Sequence, residues 1–350
     1  MSKIINIRGK KISINHEPFV IAEISGNHDG KLKRALKLVD LAAKAGADAI
    51  KLQTFKPDKI TLKSNSKDFL IKDKTSPWYK KNLYRLFKKA YTPWEWHKNI
   101  FDKAKSLGLK YLSTPFHEDA VDFLEKLDVP LYKIASFENN HIPLIKYVAR
   151  TKKPAIISTG MASLNDLKEI QKIYKSHKNQ FIFLKCSSSY PAPAESFNLN
   201  TLKDMQKKFN CIVGLSDHSI GSAIACSSVS LGARVIEKHL TLDKKDKAID
   251  SFFSSDKNNF RNYINDIKLS FKSLGNIRYK ATDNEKPSLQ ERRSIYATKN
   301  IIKGEVYSKD NISVIRPSYG LHPKYYEKII GKKNRVSIKK GKPLRKSNIS

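Results

Sequence analysis

Apolar residues along this chain cluster in short runs, and the stretches between them repeat with helical periodicity. Val20 to Ile24, Ala49 to Gln53, Lys110 to Ser113, Leu131 to Ile134, Ala155 to Ser158, Phe181 to Lys185, Cys211 to Ser216 and Val235 to His239 read as strands. Helices are predicted over 32–45, 94–107, 120–127, 143–151, 164–174, 199–209, 222–231 and 259–274. Gly46, Gly108 and Gly232 fall just past three of them, where a left-handed residue ends a helix. Eight consecutive strand–helix units with no reversal predict an α/β fold, a closed TIM (β/α)8 barrel in preference to an open doubly wound sheet.

Three segments depart from this alternation. Ile4 to Ile14 (IINIRGKKISI) is two alternating runs about Gly9-Lys10, a β-hairpin expected to close one end of the core. The connection from Phe55 to Thr92 is too long for a turn and carries Pro57, Pro77, Trp78 and Tyr84, as a lid or binding loop does. Beyond Leu274 the chain turns polar and then β-rich. The expected division is a barrel over 1–275, a linker over 276–292 and a small β-rich domain over 293–350.

Composition narrows the function. The 350 residues suit a barrel of about 250 residues plus a small module. The net charge of +34 suggests a nucleic-acid binder, yet the lysines are spread through almost every predicted helix and form no stripe with aromatic residues. A solvated basic surface that draws in small anions is the preferred reading, with no nucleic-acid partner. No run reaches the roughly 18 apolar residues that span a bilayer, and MSKIINIRGKK has no secretory h-region. Cys186, Cys211 and Cys226 have no CxxC spacing, which fits a reducing cytoplasm and argues against a thiolate zinc site.

The active site of such a barrel lies at the carboxyl ends of its strands. They deliver Glu23 with Asn27 and His28; Lys51 and Gln53; Ser113 and Thr114; Lys133, Ser136 and Glu138; Ser158 and Thr159; Ser187, Ser188 and Tyr190; Ser216 and His218; and Glu237 and His239. His218 and His239 end neighbouring parallel strands and could share one ion, the alternative being two hydrogen-bonded core histidines. Lys51 and Lys133 sit inside apolar strands, where a lysine is costly without an anion. Salt bridges to Glu23 or Glu138 would satisfy them one at a time. With serines nearby, a cradle for phosphate and carboxylate explains both. Schiff-base aldolase chemistry is a rival for a barrel lysine, and inactivation by EDTA but not by borohydride separates the two.

The motifs AEISGNH, AGADAIKLQT, STPF, YKIASFE, ISTGM, GLSDHS and EKHLT, in this order, resemble the sialic acid synthase family of nonulosonate synthases over nearly the whole chain. The C-terminal segment is similar to the SAF (antifreeze-like) module that ends those enzymes. SGNH, TPWEW, YKIASFE and YGLHP look more like the pseudaminate-forming branch than the sialate branch, which would have IGxNH and GSGE. The resemblance implies condensation of phosphoenolpyruvate with an N-acetylated amino sugar, 2,4-diacetamido-2,4,6-trideoxy-altrose in that branch, with release of phosphate. It implies that Lys51, Gln53, Lys133, Ser136, Ser158 and Ser216 hold phosphoenolpyruvate and that His218 and His239 bind Mn2+ or Mg2+. Thr114, Glu138, Ser188 and Tyr190 are further candidates for substrate contact, Glu23 for the attacking water or the aldehyde, and Asp250 for the sugar. Arg316 is expected to reach the partner's barrel in a domain-swapped homodimer and hold the acyl group of the sugar. Ser318, in place of a common glycine, and Ser188, in place of the sialate branch's asparagine, bear on sugar choice. A non-catalytic carbohydrate- or ice-binding protein built on the terminal module is the alternative from another class.

Overall fold

The computed structural model describes residues 3–74 and 76–349. A hairpin of β1 (Ile5–Ile7) and β2 (Lys10–Ile12) precedes eight parallel strands. These are β3 (Phe19–Glu23), β4 (Ala49–Thr54), β5 (Lys110–Pro115), β6 (Tyr132–Ile134), β7 (Ala155–Ser158), β8 (Phe181–Cys186), β9 (Ile212–Asp217) and β10 (Val235–His239). They close in chain order, with β10 pairing β3, so the TIM barrel expected from the alternation is the fold observed.

The helices are α1 (Leu32–Ala45), α2 (Pro57–Ile60), α3 (Leu83–Ala90), α4 (His97–Ser106), α5 (Glu118–Lys126), α6 (Ile142–Arg150), α7 (Leu164–Ser176), α8 (Thr201–Phe209), α9 (Ala223–Ser230) and α10 (Phe260–Leu274). Gly46, Gly108 and Gly232 follow three of them with φ of 87°, 77° and 103°. Helices α2 and α3 lie within the segment read from sequence as one long loop. Local chemistry accounts for α3, because the Asn82 side chain caps it by accepting from the Arg85 N–H, and LYRLFKKA is strongly amphipathic.

Alternation along the barrel strands separates two jobs. One face packs under the helices: Val20, Ala22, Ile50, Leu52, Tyr132, Ile134, Phe183, Val213, Leu215 and Ile236 join a single buried cluster with α1 and α4 to α10. The other face points into the barrel, and there Phe19, Ile21, Ala49, Leu112, Leu131, Ile156, Ile182, Leu184, Ile212 and Val235 pack with Ile5, Ile7 and Ile12 of the hairpin. The hairpin therefore seals the amino-terminal end with hydrocarbon. Arg8 fixes it, donating to the Tyr111 hydroxyl at 2.7 Å and pairing with Asp128 at 2.5 Å. Two or four residues further along the same inward face, the side chains become polar.

The chain divides into compact units Met1–Gly275 and Asn276–Ser350. The second unit pairs β11 (Ser294–Ala297) with β12 (Ile312–Ile315) antiparallel over a core that includes Ile295, Ile301, Tyr307, Ile312 and Leu344. Residues Asp283–Glu285 and Pro287–Glu291 form short exposed 3-10 turns ahead of it.

Candidate active site

Inward positions at the carboxyl half of the barrel bring Glu23, Lys51, Lys133, Glu237 and His239 together, all buried. Strand register puts His239 beside Glu23 and Glu23 beside Lys51 on adjacent strands. The Lys51 ammonium pairs with Glu23 Oε2, lies 3.9 Å from Glu237 Oε1 and donates to Thr114 Oγ1 at 3.2 Å. Lys133 lies 3.7 Å from the same Glu237 oxygen and donates to Ser158 Oγ at 2.7 Å. Ser216 donates to Glu237 Oε1 at 3.4 Å. Glu237 thus bridges the two lysines. Sequence reasoning placed it at the mouth but assigned it no role, although its inward parity with His239 was the available signal.

Burying these ions costs several kcal/mol each, a cost their mutual attraction offsets only in part. The electrostatics record that tension. Burial is the largest influence on Glu23 and pushes it up to about 7 against the pull of Lys51, with the Glu237 charge adding to the rise. Burial also raises the half-buried Glu138 to about 7, opposed by Lys133 and Lys51. Burial lowers Lys133, and the nearby Glu237 offsets only part of that fall. Glu23 is held in place by the turn after its strand: Ser25, at a left-handed φ of 47°, donates its N–H to Glu23 Oε1 at 2.6 Å. Glu237 Oε2 and Glu138 Oε2 are buried without a hydrogen-bond partner among the described residues, so both can accept from a ligand.

The His218 and His239 rings lie side by side, with centroids 5.5 Å apart. His218 Nδ1 faces the Ser187 carbonyl oxygen at 2.8 Å, which can only accept, so Nδ1 is the donor and Nε2 is the ring atom left to ligate an ion. His239 Nδ1 is buried without a partner, and burial, followed by the charges of His218 and Lys51, holds this imidazole neutral. For His218 the penalty of burial is outweighed by the Cys186 sulfur, 3.9 Å from Nδ1, and by the Ser187 carbonyl. No cluster of three or more His, Cys, Asp or Glu side chains with metal-binding geometry occurs among the described residues, so a bound ion would rely on two imidazoles plus water or substrate. An orphaned ring nitrogen beside an oriented one fits that role.

The rest of the mouth is aromatic and hydroxylic. The ring centres of Tyr190 and His218 lie 4.3 Å apart and those of Phe253 and His239 4.8 Å, and the ring centre of Trp78, from the long connection, lies 6.2 Å from that of Tyr190. Asp250 is buried against Ser25, whose hydroxyl donates to it. Ser136 accepts from the Gly160 N–H at 3.2 Å. Gln53 stands one inward position beyond Lys51, level with Thr114. His28 is elsewhere: it is buried against Thr92 and Trp96 and belongs to the packing of the α3 region. Arg316 lies in the second unit, exposed at the end of β12, with no side-chain partner among the described residues. Cys186, considered from sequence only for redox context, lies within this cluster. Burial raises its pKa, but His218 leads the influences that bring it down to about 7.

One glycine is diagnostic. A Cβ at Gly160 would lie 2.2 Å from Ser188 Oγ and 2.6 Å from Ser136 Oγ, so both hydroxyls must rotate away to admit it. Gly160→Ala is therefore expected to raise the KM of the anionic substrate about tenfold, the equivalent of about one hydrogen bond, while melting within a few degrees of wild type. An unchanged KM would remove Ser136 from the anion site.

Comparison with known proteins assigns the class. The model of the NeuB family matches residues 38–279 and that of the SAF domain residues 292–350. The chain belongs to the NeuB family, as the ordered motifs implied. Among its relatives, pseudaminic acid synthase of Campylobacter jejuni (serotype O:23/36, strain 81-176) is 45% identical, covering 94% of this chain and 96% of that protein. Pseudaminic acid synthase of Helicobacter pylori is 40% identical over 95% and 98%. The crystal structure of N-acetylneuraminic acid (sialic acid) synthetase from Leptospira borgpetersenii superposes with a TM-score of 0.73 at 29% identity, covering 83% of this chain and 96% of that one.

Proposed function

We propose that this chain is a pseudaminic acid synthase, which joins phosphoenolpyruvate to 2,4-diacetamido-2,4,6-trideoxy-altrose and releases phosphate. The observation that carries it is the pair of buried lysines beneath two adjacent imidazoles at one barrel mouth, in a chain more like synthases of that acid than like the sialate enzyme. Lys51 and Lys133 meet the phosphate and carboxylate of phosphoenolpyruvate, with Gln53, Ser136, Ser158 and Ser216 supplying hydrogen bonds. His218 and His239 would hold Mn2+ or Mg2+, which when bound supplies Lewis acidity toward the sugar aldehyde.

The carbon–carbon bond forms as the enol electron pair attacks the aldehyde carbon, and the aldehyde oxygen takes up a proton. Positive character develops at the second carbon of the enol phosphate. Water adds there, giving its proton to the Glu23 carboxylate. The tetrahedral intermediate then expels phosphate, whose charge the lysines neutralise throughout. Asp250, Tyr190, Glu138 and Ser188 line the sugar side. No helix among the described residues is long and apolar enough to cross a membrane, and the proposed setting is the bacterial cytoplasm.

Mass spectrometry of the nine-carbon acid tests the assignment, using the altrose, N-acetylmannosamine and the diacetamido-mannose analogue as a panel. Preferred turnover of the altrose supports it; preferred turnover of either rival makes the chain a sialate or legionaminate synthase. The resemblance in YGLHP and the preceding Arg316 supports a domain-swapped homodimer in which the partner subunit supplies this arginine to the sugar. Arg316→Ala is expected to raise the KM of the sugar by about tenfold to a hundredfold without changing that of phosphoenolpyruvate. A fully active monomer by light scattering would overturn the arrangement.

A further inference from the structure

On the outer face of the barrel, directly behind the two imidazoles, a buried polar cluster points away from the substrate mouth. Asp217 ends β9 and Lys238 sits next to last in β10, paired in register. Lys238 Nζ meets Asp217 Oδ2 at 3.0 Å and also donates to the Ser219 carbonyl. The Tyr263 hydroxyl, from α10, donates to the same Asp217 oxygen at 2.7 Å, and the Lys238 ammonium lies 5.2 Å from the centre of the Tyr263 ring. Asp217 Oδ1 accepts from both the N–H and the hydroxyl of Ser219, at 2.9 and 2.6 Å. Asp217, Ser219, Lys238 and Tyr263 are all at most 3% exposed.

The positions of these residues in the chain give the cluster its meaning. Asp217 and Ser219 flank His218, and Lys238 immediately precedes His239. A carboxylate with four donors grips the backbone on both sides of the first imidazole. The ammonium it binds is one peptide away from the second. An ion pair of this kind is a poor means of adhesion, because apolar side chains of similar volume would pack α10 on the strands as well or better. What apolar contacts do not supply is direction, and charge-assisted hydrogen bonds do.

We propose that Asp217, Lys238 and Tyr263 are positioning residues that lock the ends of β9 and β10 so that the His218 and His239 rings keep the separation a shared divalent cation needs. This rests on the metal reading of the two histidines. The brace points away from the mouth, so it acts through the strand ends that carry the imidazoles.

The test uses the full chain, stripped with chelator and then titrated with Mn2+ in equilibrium dialysis. The paired substitution Asp217→Leu with Lys238→Met removes both charges together and leaves no buried ion unpaired. It leaves the donors of Tyr263 and Ser219 without this acceptor, so it should melt below the wild type, yet bind phosphoenolpyruvate as wild type does in the absence of metal. Its affinity for Mn2+ should fall by about tenfold or more, the loss typical when groups orienting a metal ligand are removed. Tyr263→Phe keeps the ion pair, deletes one hydrogen bond, and should weaken Mn2+ about threefold; it decides the matter if the paired variant fails to fold. Wild-type Mn2+ affinity in a folded variant overturns the brace. A wild-type chain that takes up no Mn2+ overturns the metal reading, and the brace with it.

Discussion

Alanine at His218 or at His239 should abolish metal-dependent turnover, lowering kcat by about 10³-fold or more, while binding of phosphoenolpyruvate survives. The size follows from what each ring supplies. Two imidazoles are the whole protein share of the proposed site, so removing one leaves a single donor. Several kcal/mol of stabilisation at the developing charge is then lost, at about 1.4 kcal/mol per factor of ten. Phosphoenolpyruvate should still bind because its proposed anchors, Lys51 and Lys133, come from β4 and β6 and keep their own partners Glu23, Glu237 and Ser158 when either imidazole is removed. Metal content by mass spectrometry and substrate binding by calorimetry read the two halves separately. Full activity in either variant removes the metal assignment. Loss of both metal and phosphoenolpyruvate binding would mean that the two subsites are not independent.

Glu23→Gln should slow turnover by about 10²- to 10⁴-fold with binding of phosphoenolpyruvate preserved, the usual range for losing a positioned acid or base. Its pH dependence is the sharper readout. Burial lifts the Glu23 carboxyl to about 7, so it keeps its proton below that pH and becomes a base above it. Activity that needs the base should therefore rise with pH through about 7 and level off. The amide cannot titrate, and that limb should vanish in Glu23→Gln. Glu138 is also raised to about 7, which supplies the control: Glu138→Gln should keep the limb if Glu23 is the base. A limb that persists in Glu23→Gln and disappears in Glu138→Gln would reverse the two roles.

Much of this architecture was legible because period and position carry it. The eight barrel strands were placed within two residues at either end, since a parallel strand buried on both sides leaves a continuous apolar run. Alternation along β10 sets Glu237 and His239 on the inward face and Lys238 on the outward one. Helix α3 was missed because its amphipathic run, LYRLFKKA, is only eight residues long and lies in a connection whose Pro57, Pro77 and Trp78 mark a loop. The role of Glu237 was missed for a different reason. Its importance comes from standing between lysines on strands remote in sequence, at 3.9 and 3.7 Å, and no local pattern encodes that pairing. His28 shows the converse, a mouth-adjacent histidine that parity could not distinguish from a ligand until Thr92 and Trp96 closed around it.

The hairpin of Ile5, Ile7 and Ile12 has a kinetic consequence. With the floor of the barrel stoppered by isoleucine, everything that reacts must come and go through a single doorway. Inorganic phosphate departs along the route by which phosphoenolpyruvate arrived, and the finished acid leaves over the perch of the incoming aldehyde. Phosphate should therefore inhibit by competing directly with phosphoenolpyruvate, and turnover should slow as spent product lingers on the threshold.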